Sequence, residues 1–358
     1  MTEPSDYCAL ICREPDRLRI VNSHDEVVEV VRTSFAEAGL EAEFYARSQA
    51  SCAFKISGFP FIRNWDGEEK SIRISRALAL VVEKLQGLSW SLVTSTDVAK
   101  RDTNSCLFFR KIKMETPTSK GRIFTFAPSS NSNILLVDVP RDIEEEIVQA
   151  VRDTHGIDSH KNIEDDGGAL VTSKIDLEGW FNWRATGDQA ISLRKMLLEV
   201  IQVARKHKYD MICNLNTKGT TDSLMFQHNE SLSDFRQEDM FIMSLNRKDR
   251  LRFISAPEYI VTTAAEVVTS SWDKGIQENE AKEGFHELKL HGTPWFANGT
   301  DAIKSRFLII NMIAKFRALG WEVAATLDVS RRLNDKTMFV FRHNLEVIKF
   351  LLKSKEEN

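Results

Sequence analysis

Long apolar runs are missing from this sequence. No stretch approaches the roughly 18 consecutive apolar residues that a bilayer-crossing helix needs. The opening segment MTEPSDYCALICREPDRLRI has no basic start followed by an apolar stretch, so no secretion signal is expected. Eight prolines and sixteen glycines in 358 residues are too few for a fibrous or low-complexity protein. Cysteine is sparse and odd in number: five, scattered along the chain, which suits a reducing compartment, the cytoplasm or alternatively the nucleus. Charge of one sign is not in excess either. The formal net charge of −4 gives no global attraction to nucleic acid or to an anionic membrane. What is present, 42% hydrophobic and 28% charged residues, is the composition of a globular chain long enough for two or three domains.

The informative feature is an internal repeat. Downstream of Trp321 come Asp328, a polar turn with Arg331 and Arg332, Asp335, and the apolar run Met338 to Phe341. Trp90 is followed in the same order by Asp97, Lys100, Arg101, Asp102 and Leu107 to Phe109. A weaker third copy starts at Tyr209 and continues through Asn216, Lys218, Asp222 and Leu224 to Phe226. Upstream, Gly292-Thr-Pro-Trp295 with Gly299 matches Gly58-Phe-Pro-Phe61 with Gly67, and the middle copy has Gly179 to Trp183 with Gly187. Further back, Asp16 to Val21 nearly duplicates Asp249 to Ile254, with Asn133 to Val137 in the middle. The spacing of roughly 115 residues is that of a compact domain rather than a solenoid unit.

Each copy reads strand, helix, strand, helix, strand, strand, which predicts an α+β module with its helices on one face of a small sheet. The expected division is 1–112, 121–229, 234–344 and a C-terminal amphipathic helix with a charged tail at 345–358. The middle copy, which has Tyr209 and Asn216 where the others have Trp and Asp, is the most diverged. Pro140 and Pro257 stand where a first helical turn tolerates them, and Ser23 or Asp25 is placed to cap the first helix. The second helix of each copy is long and apolar. In the third copy Phe307 to Ile310 with Met312 and Ile313 cover more than one stripe, so burial on more than one side is expected. Polar Lys113 to Arg122 and Asn229 to Glu238 read as linkers, and Asp158 to Gly168 and Gln277 to Gly284 as polar loops.

The pattern Gly292-x-Pro294-Trp295, Gly299 before a helix, Gly320-Trp321, Asp328-x-Ser330 and Asp335-Lys336 with Phe339 and Phe341 resembles a family of tandem-repeat eukaryotic proteins of unassigned function. The first copy departs from it at Phe61 and Ser75, and Asp102 has no following Lys. The resemblance implies a modular fold and assigns no chemistry to any residue.

Candidate reactive groups are few. Asp97 and Asp328 fit turn-capping carboxylates, and Asn216 in the middle copy argues against a shared acid. Arg331, Arg332 and Lys336, with Lys100 and Arg101 at the equivalent turn, could receive an oxyanion, because guanidinium forks match phosphate and carboxylate. Trp65, Trp183 and Trp295 could be anchors for a partner, or could each close the end of a module core. Neither Gly292-x6-Gly299 nor Thr217 to Thr221 has the form of a nucleotide loop. Cys8 and Cys12 form the only close cysteine pair, His155 and His160 flank an acidic segment, and no metal or cofactor is expected. The residues that recur are Gly, Trp, Phe and a turn Asp, which are the residues a fold needs. They point to a non-enzymatic adaptor that presents loops and edges to protein partners. RNA or phospholipid-headgroup binding at the basic turns, and an enzyme with a site in an inter-module cleft, are the alternatives.

Overall fold

Hydrogen-bonded hairpins dominate the architecture. The computed structural model describes residues 6–48, 50–61, 67–96, 103–112, 121–130, 132–165, 167–179, 183, 185–216, 222–232, 240–328 and 338–344. They build three six-stranded sheets, every strand pairing antiparallel, with two helices contributed by each repeat. The first sheet holds β1 (Tyr7–Arg13), β2 (Arg17–Val21), β3 (Ala42–Arg47), β4 (Ser51–Ile56), β5 (Trp90–Thr96) and β6 (Thr103–Lys111), in the spatial order 3-4-2-1-6-5. The second holds β7 (Ile123–Ser129), β8 (Asn133–Pro140), β9 (Ile157–Glu164), β10 (Leu170–Leu177), β11 (Tyr209–Leu215) and β12 (Ser223–His228). The third holds β13 (Met240–Asn246), β14 (Arg250–Ile254), β15 (Ile276–Lys282), β16 (Phe285–Leu290), β17 (Trp321–Leu327) and β18 (Met338–His343). Equivalent strands occupy equivalent places in all three, so the molecule is α+β and built of three tandem modules.

The helices are α1 (Asp25–Glu37), α2 (Glu68–Gly87), α3 (Arg141–Thr154), α4 (Asp188–Lys206), α5 (Glu258–Ser271) and α6 (Gly299–Ala318). The chain forms two compact units: Met1–Trp183 with Val203–Asp234, and Arg184–Gln202 with Phe235–Asn358. The blueprint repeats down to backbone strain. Asn22 and Ser255, each just past the second strand of its module, and Asp138, near the end of β8, sit at the left-handed φ values of 55°, 57° and 56°. That conformation costs a non-glycine residue energy, and three chemically different side chains adopt it because the strand-to-helix exit requires it.

Each module has two strands more than the sequence pattern suggests. One is the first strand of the opening hairpin. The other is β9 or β15, which occupies the segments expected to be polar loops at Asp158 to Gly168 and Gln277 to Gly284. Both strands expose their side chains on both faces, so neither has the apolar-polar alternation that marks a strand. Pro140 and Pro257 sit one residue earlier than expected, at the N-cap. The first helix is capped at His24 with no side-chain hydrogen bond, so neither Ser23 nor Asp25 serves as its cap.

In the first unit α2 has two apolar faces. One packs with α1 and the inner face of the first sheet, through Ala77, Leu78, Val81 and Leu85. The other lies on the outer face of the second sheet, where Ile72 meets Ala127, Leu135 and Val137. In the second unit α6 behaves differently. Leu308, Met312 and Phe316 are buried with Phe241 and Trp321, but Ile303, Phe307 and Ile310 are 58%, 56% and 57% exposed. The expectation that this helix is covered on more than one side fails, because a broad apolar surface records what a helix could bury and not what lies against it.

Trp321 is 2% exposed, packs edge-on to Phe241 and donates its Nε1 hydrogen to Tyr259 Oη at 2.9 Å. Trp321→Ala is expected to cost about 3–5 kcal/mol, read as a lowered denaturation midpoint; an unchanged midpoint would contradict this burial. A second buried element is ionic. Glu287, 2% exposed, accepts hydrogen bonds from Arg252 Nε (2.6 Å), from Lys282 Nζ (3.0 Å) and from Arg250. Burial alone would raise its pKa, but the hydrogen bonds from Arg252 and Lys282, with the charges of Arg252 and Arg250, outweigh that and hold it at about 2. The folded-state value lies below the unfolded one of about 4.3. The contribution is therefore complete above the unfolded value and is lost as pH falls toward 2. Glu287→Gln removes the carboxylate that three cations share, although Lys282 keeps Glu280 at 3.2 Å and Arg250 keeps Asp249 at 4.0 Å, and is expected to cost about 3–5 kcal/mol at pH 7. It should also flatten the fall in melting temperature between pH 5 and pH 2.

Candidate protein-binding edge

Sheet edges carry unpaired backbone donors and acceptors, and proteins protect them with charged side chains. The strands β3, β9 and β15 form one edge of each sheet and project beyond the cores, nearly all of their side chains exposed. Two of the three are protected in that way. The edge of the second sheet has Asp158, Lys161 and Glu164, and that of the third has Glu278, Glu280 and Lys282. The first differs. Between Glu43 and Arg47 it places Phe44 and Tyr45, 58% and 59% exposed.

The two rings are held rather than free. Phe44 packs edge-on against Phe54, its partner across the ladder, with ring centroids 6.1 Å apart. Tyr45 lies at an irregularity of the β3–β4 register and carries the Arg17 guanidinium 3.7 Å above its ring. Arg17 is fixed in turn by Asp16 at 3.2 Å. Arg47 is tied to Asp25 of α1 at 2.5 Å. Phe44 stands against the buried Phe54, and Tyr45 against Arg17, which alternates with the buried Leu18, so a chain laid along β3 meets an aromatic ring on each side of the sheet plane. Recognition by strand addition needs those two things, an open edge and side-chain contacts on alternate faces.

Other polar clusters satisfy one another. A recess of the first unit has Arg76, Asp138, Glu164 and Thr172 in its wall. Arg76 binds Asp138 bidentately at 2.6 and 2.8 Å and reaches Glu164 at 2.7 Å. In the middle module His160 bonds Glu144 at 2.7 Å, and Glu144 also accepts from Ser173 at 2.7 Å. Burial pushes the Cys8, Cys12 and Cys213 thiols up to about 12, which keeps them protonated and unreactive at neutral pH. Among the described residues no cluster of His, Cys, Asp and Glu is arranged to hold a metal ion. No described helix is long and apolar enough to cross a membrane.

Of the residues singled out in the sequence, Arg331, Arg332, Lys336, Lys100, Arg101 and Trp65 lie outside the described residues, as do Asp97 and the 345–353 segment. Trp183 is 1% exposed and donates to the Ser129 carbonyl at 3.3 Å. Trp295 is half-buried against the third core and donates to the Arg250 carbonyl at 3.0 Å. Both close the end of their own module. Phe44 and Tyr45 were not among the candidates. Their signal was a pair of adjacent aromatics in an otherwise polar stretch, and it becomes meaningful only once that stretch is known to be an edge.

With this geometry established, comparison with known proteins bears on ancestry. A profile of a domain of uncharacterised function matches three times, at residues 6–110, 122–227 and 239–342. The chain belongs to that domain family. Among solved structures it is similar to a conserved kinetoplastid-specific protein from Trypanosoma cruzi, at 16% identity, covering 31% of this chain and 99% of that one, with a TM-score of 0.23. A superposition that weak carries no argument about fold or function. No curated protein matches the chain. The family membership agrees with the repeat read from the sequence and brings no reaction or ligand with it.

Proposed function

We propose that the protein is a non-enzymatic scaffold that binds protein partners through its modules, with β3 as a docking strand. The observation that carries this reading is the exposed Phe44–Tyr45 pair on an edge whose two counterparts are protected by charge. Supporting it, the positions that recur across the modules are core residues and turn formers, while the polar groups at equivalent places differ and pair internally. A partner supplying an extended segment with apolar residues at alternate positions would gain backbone hydrogen bonds from the edge and ring contacts on both faces.

Selection of displayed peptides against the immobilised full chain tests this reading. Selected peptides are expected to slow amide hydrogen exchange in β3 and to lose at least tenfold in affinity for a Phe44→Lys, Tyr45→Lys double variant. The melting temperature of that variant should stay close to that of the parent, because both rings are exposed. Peptides that bind tightly yet leave β3 exchange and the double variant unaffected would refute the assignment of the edge. A substrate turned over by the purified chain would refute the non-enzymatic reading.

A further inference from the structure

The two halves of the junction between α2 and the second sheet each have an exposed counterpart elsewhere in the molecule. In the first unit the outer face of α2 is tethered along its length: Glu68 to Lys174, Ile72 on Ala127, Leu135 and Val137, Arg76 to Asp138 and Glu164, and Glu83 to the Ile123 amide at 2.6 Å. In the second unit the first part of α4 is grouped with the third sheet. There Lys195, which occupies the place of Arg76 when counted back from Tyr209 and Trp90, shares a recess with Ser255 and His286. It lies so close to Gly284 that a side chain there would strike its ammonium. Lys195 thus stands beside the third sheet at the place that Arg76 takes beside the second.

Among the described residues, two surfaces have the shape of that junction and are exposed. Counted back from Trp321, the α6 residues at the places of Ile72, Arg76 and Ala79 are Ile303, Phe307 and Ile310, all more than half exposed. On the first sheet, the residues at the places of Ala127, Leu135 and Val137 are Ile11, Arg19 and Val21, in the same hairpin register. The outer face there also has Tyr7 (45% exposed) and Val21 (39% exposed), whereas the equivalent Ile123 and Val137 of the second sheet are buried.

The substitutions are matched across the two halves. Where the helix has Phe307 instead of Arg76, the sheet has Asn22 instead of Asp138. Where the sheet has Ala53 instead of Lys174, α6 has no acid at the place of Glu68, which is taken by Gly299. Each ion pair is therefore lost from both partners together, and an apolar helix face confronts a sheet face that has lost the matching charge. We propose that the exposed face of α6 in one copy docks on the outer face of the first sheet of a second copy, reproducing between molecules the junction that α2 makes within one. This goes beyond the partner-binding reading and does not use β3. The contact is heterologous, so copies add head to tail. Both surfaces also carry cations: Arg306 and Arg317 on the helix, and on the sheet Arg110 beside Tyr7 and Arg19 within the face, at the place of Leu135. Salt screens their repulsion within a Debye length of about 8 Å at physiological ionic strength and should strengthen the assembly.

Sedimentation velocity on the full chain from 2 to 200 μM, in 0.15 M and 0.5 M NaCl, tests the proposal. The weight-average mass is expected to rise at least twofold with concentration, and more at the higher salt. Phe307→Asp and Val21→Asp, both at exposed positions, should each remain monomeric when alone. Mixed, they should form a dimer and nothing larger, because each retains the half that the other has lost. A parent chain that stays monomeric to 200 μM overturns the proposal. So does a Val21→Asp chain that still dimerises through α6 alone, an assembly that dissolves at 0.5 M NaCl, or a mixture that shows no dimer.

Discussion

The structure depends on how the broad apolar surface of each module's second helix is covered. A helix seated on a single sheet buries one stripe, and the rest faces water at a cost of about 25 cal/mol for each Å² of apolar surface. In the first unit α2 avoids that cost by lying between two sheets, so the module that makes it and the module that follows share one helix. The sharing explains why β7 is buried on both faces along most of its length while β1 alternates. It also explains why the first core cluster reaches into the second module, taking in Ile123, Cys213 and Met225. Fold and module order are one packing problem here.

Charge is placed to serve that packing. Glu144 and Glu287 are buried and Arg76 is partly so, and each is met by two or more partners. A buried charge is tolerated when its hydrogen-bonding capacity is met in this way. The depressed carboxyl of Glu287 and the raised thiols of the buried cysteines are both consequences of the fold. The groups that depart from their ordinary chemistry are thus occupied in holding sheets and helices together. This is why the surface features, an aromatic edge strand and an apolar helix face, carry the functional argument.

The repeat and the α+β class were legible in the sequence because hydrophobic periodicity is a local property. The Trp90 and Trp321 landmarks, the Gly292 and Gly58 turns and the Asp16 and Asp249 hairpins all reappear in space at matching places. The edge strands β9 and β15 were not legible. They are solvated on both faces and so lack the alternation by which a strand is recognised. The same blindness hid Phe44 and Tyr45, which stood out only as two aromatics in a polar stretch. Trp183 shows the converse: a tryptophan beside glycine-rich sequence is compatible with a surface anchor, and its burial decided between the two readings.

Side-chain spacing alone shows that one hydrophobic plan is used three times and which face is apolar in those helices and strands whose apolar residues recur with the period of the element. Only the tertiary structure decided which of those apolar faces find a mate. Ile72 and Ile303 occupy the same place in the plan, yet one lies against a sheet and the other faces solvent. Burial is a relation between segments far apart in the chain, and a repeat whose copies are alike in pattern can still differ in neighbours.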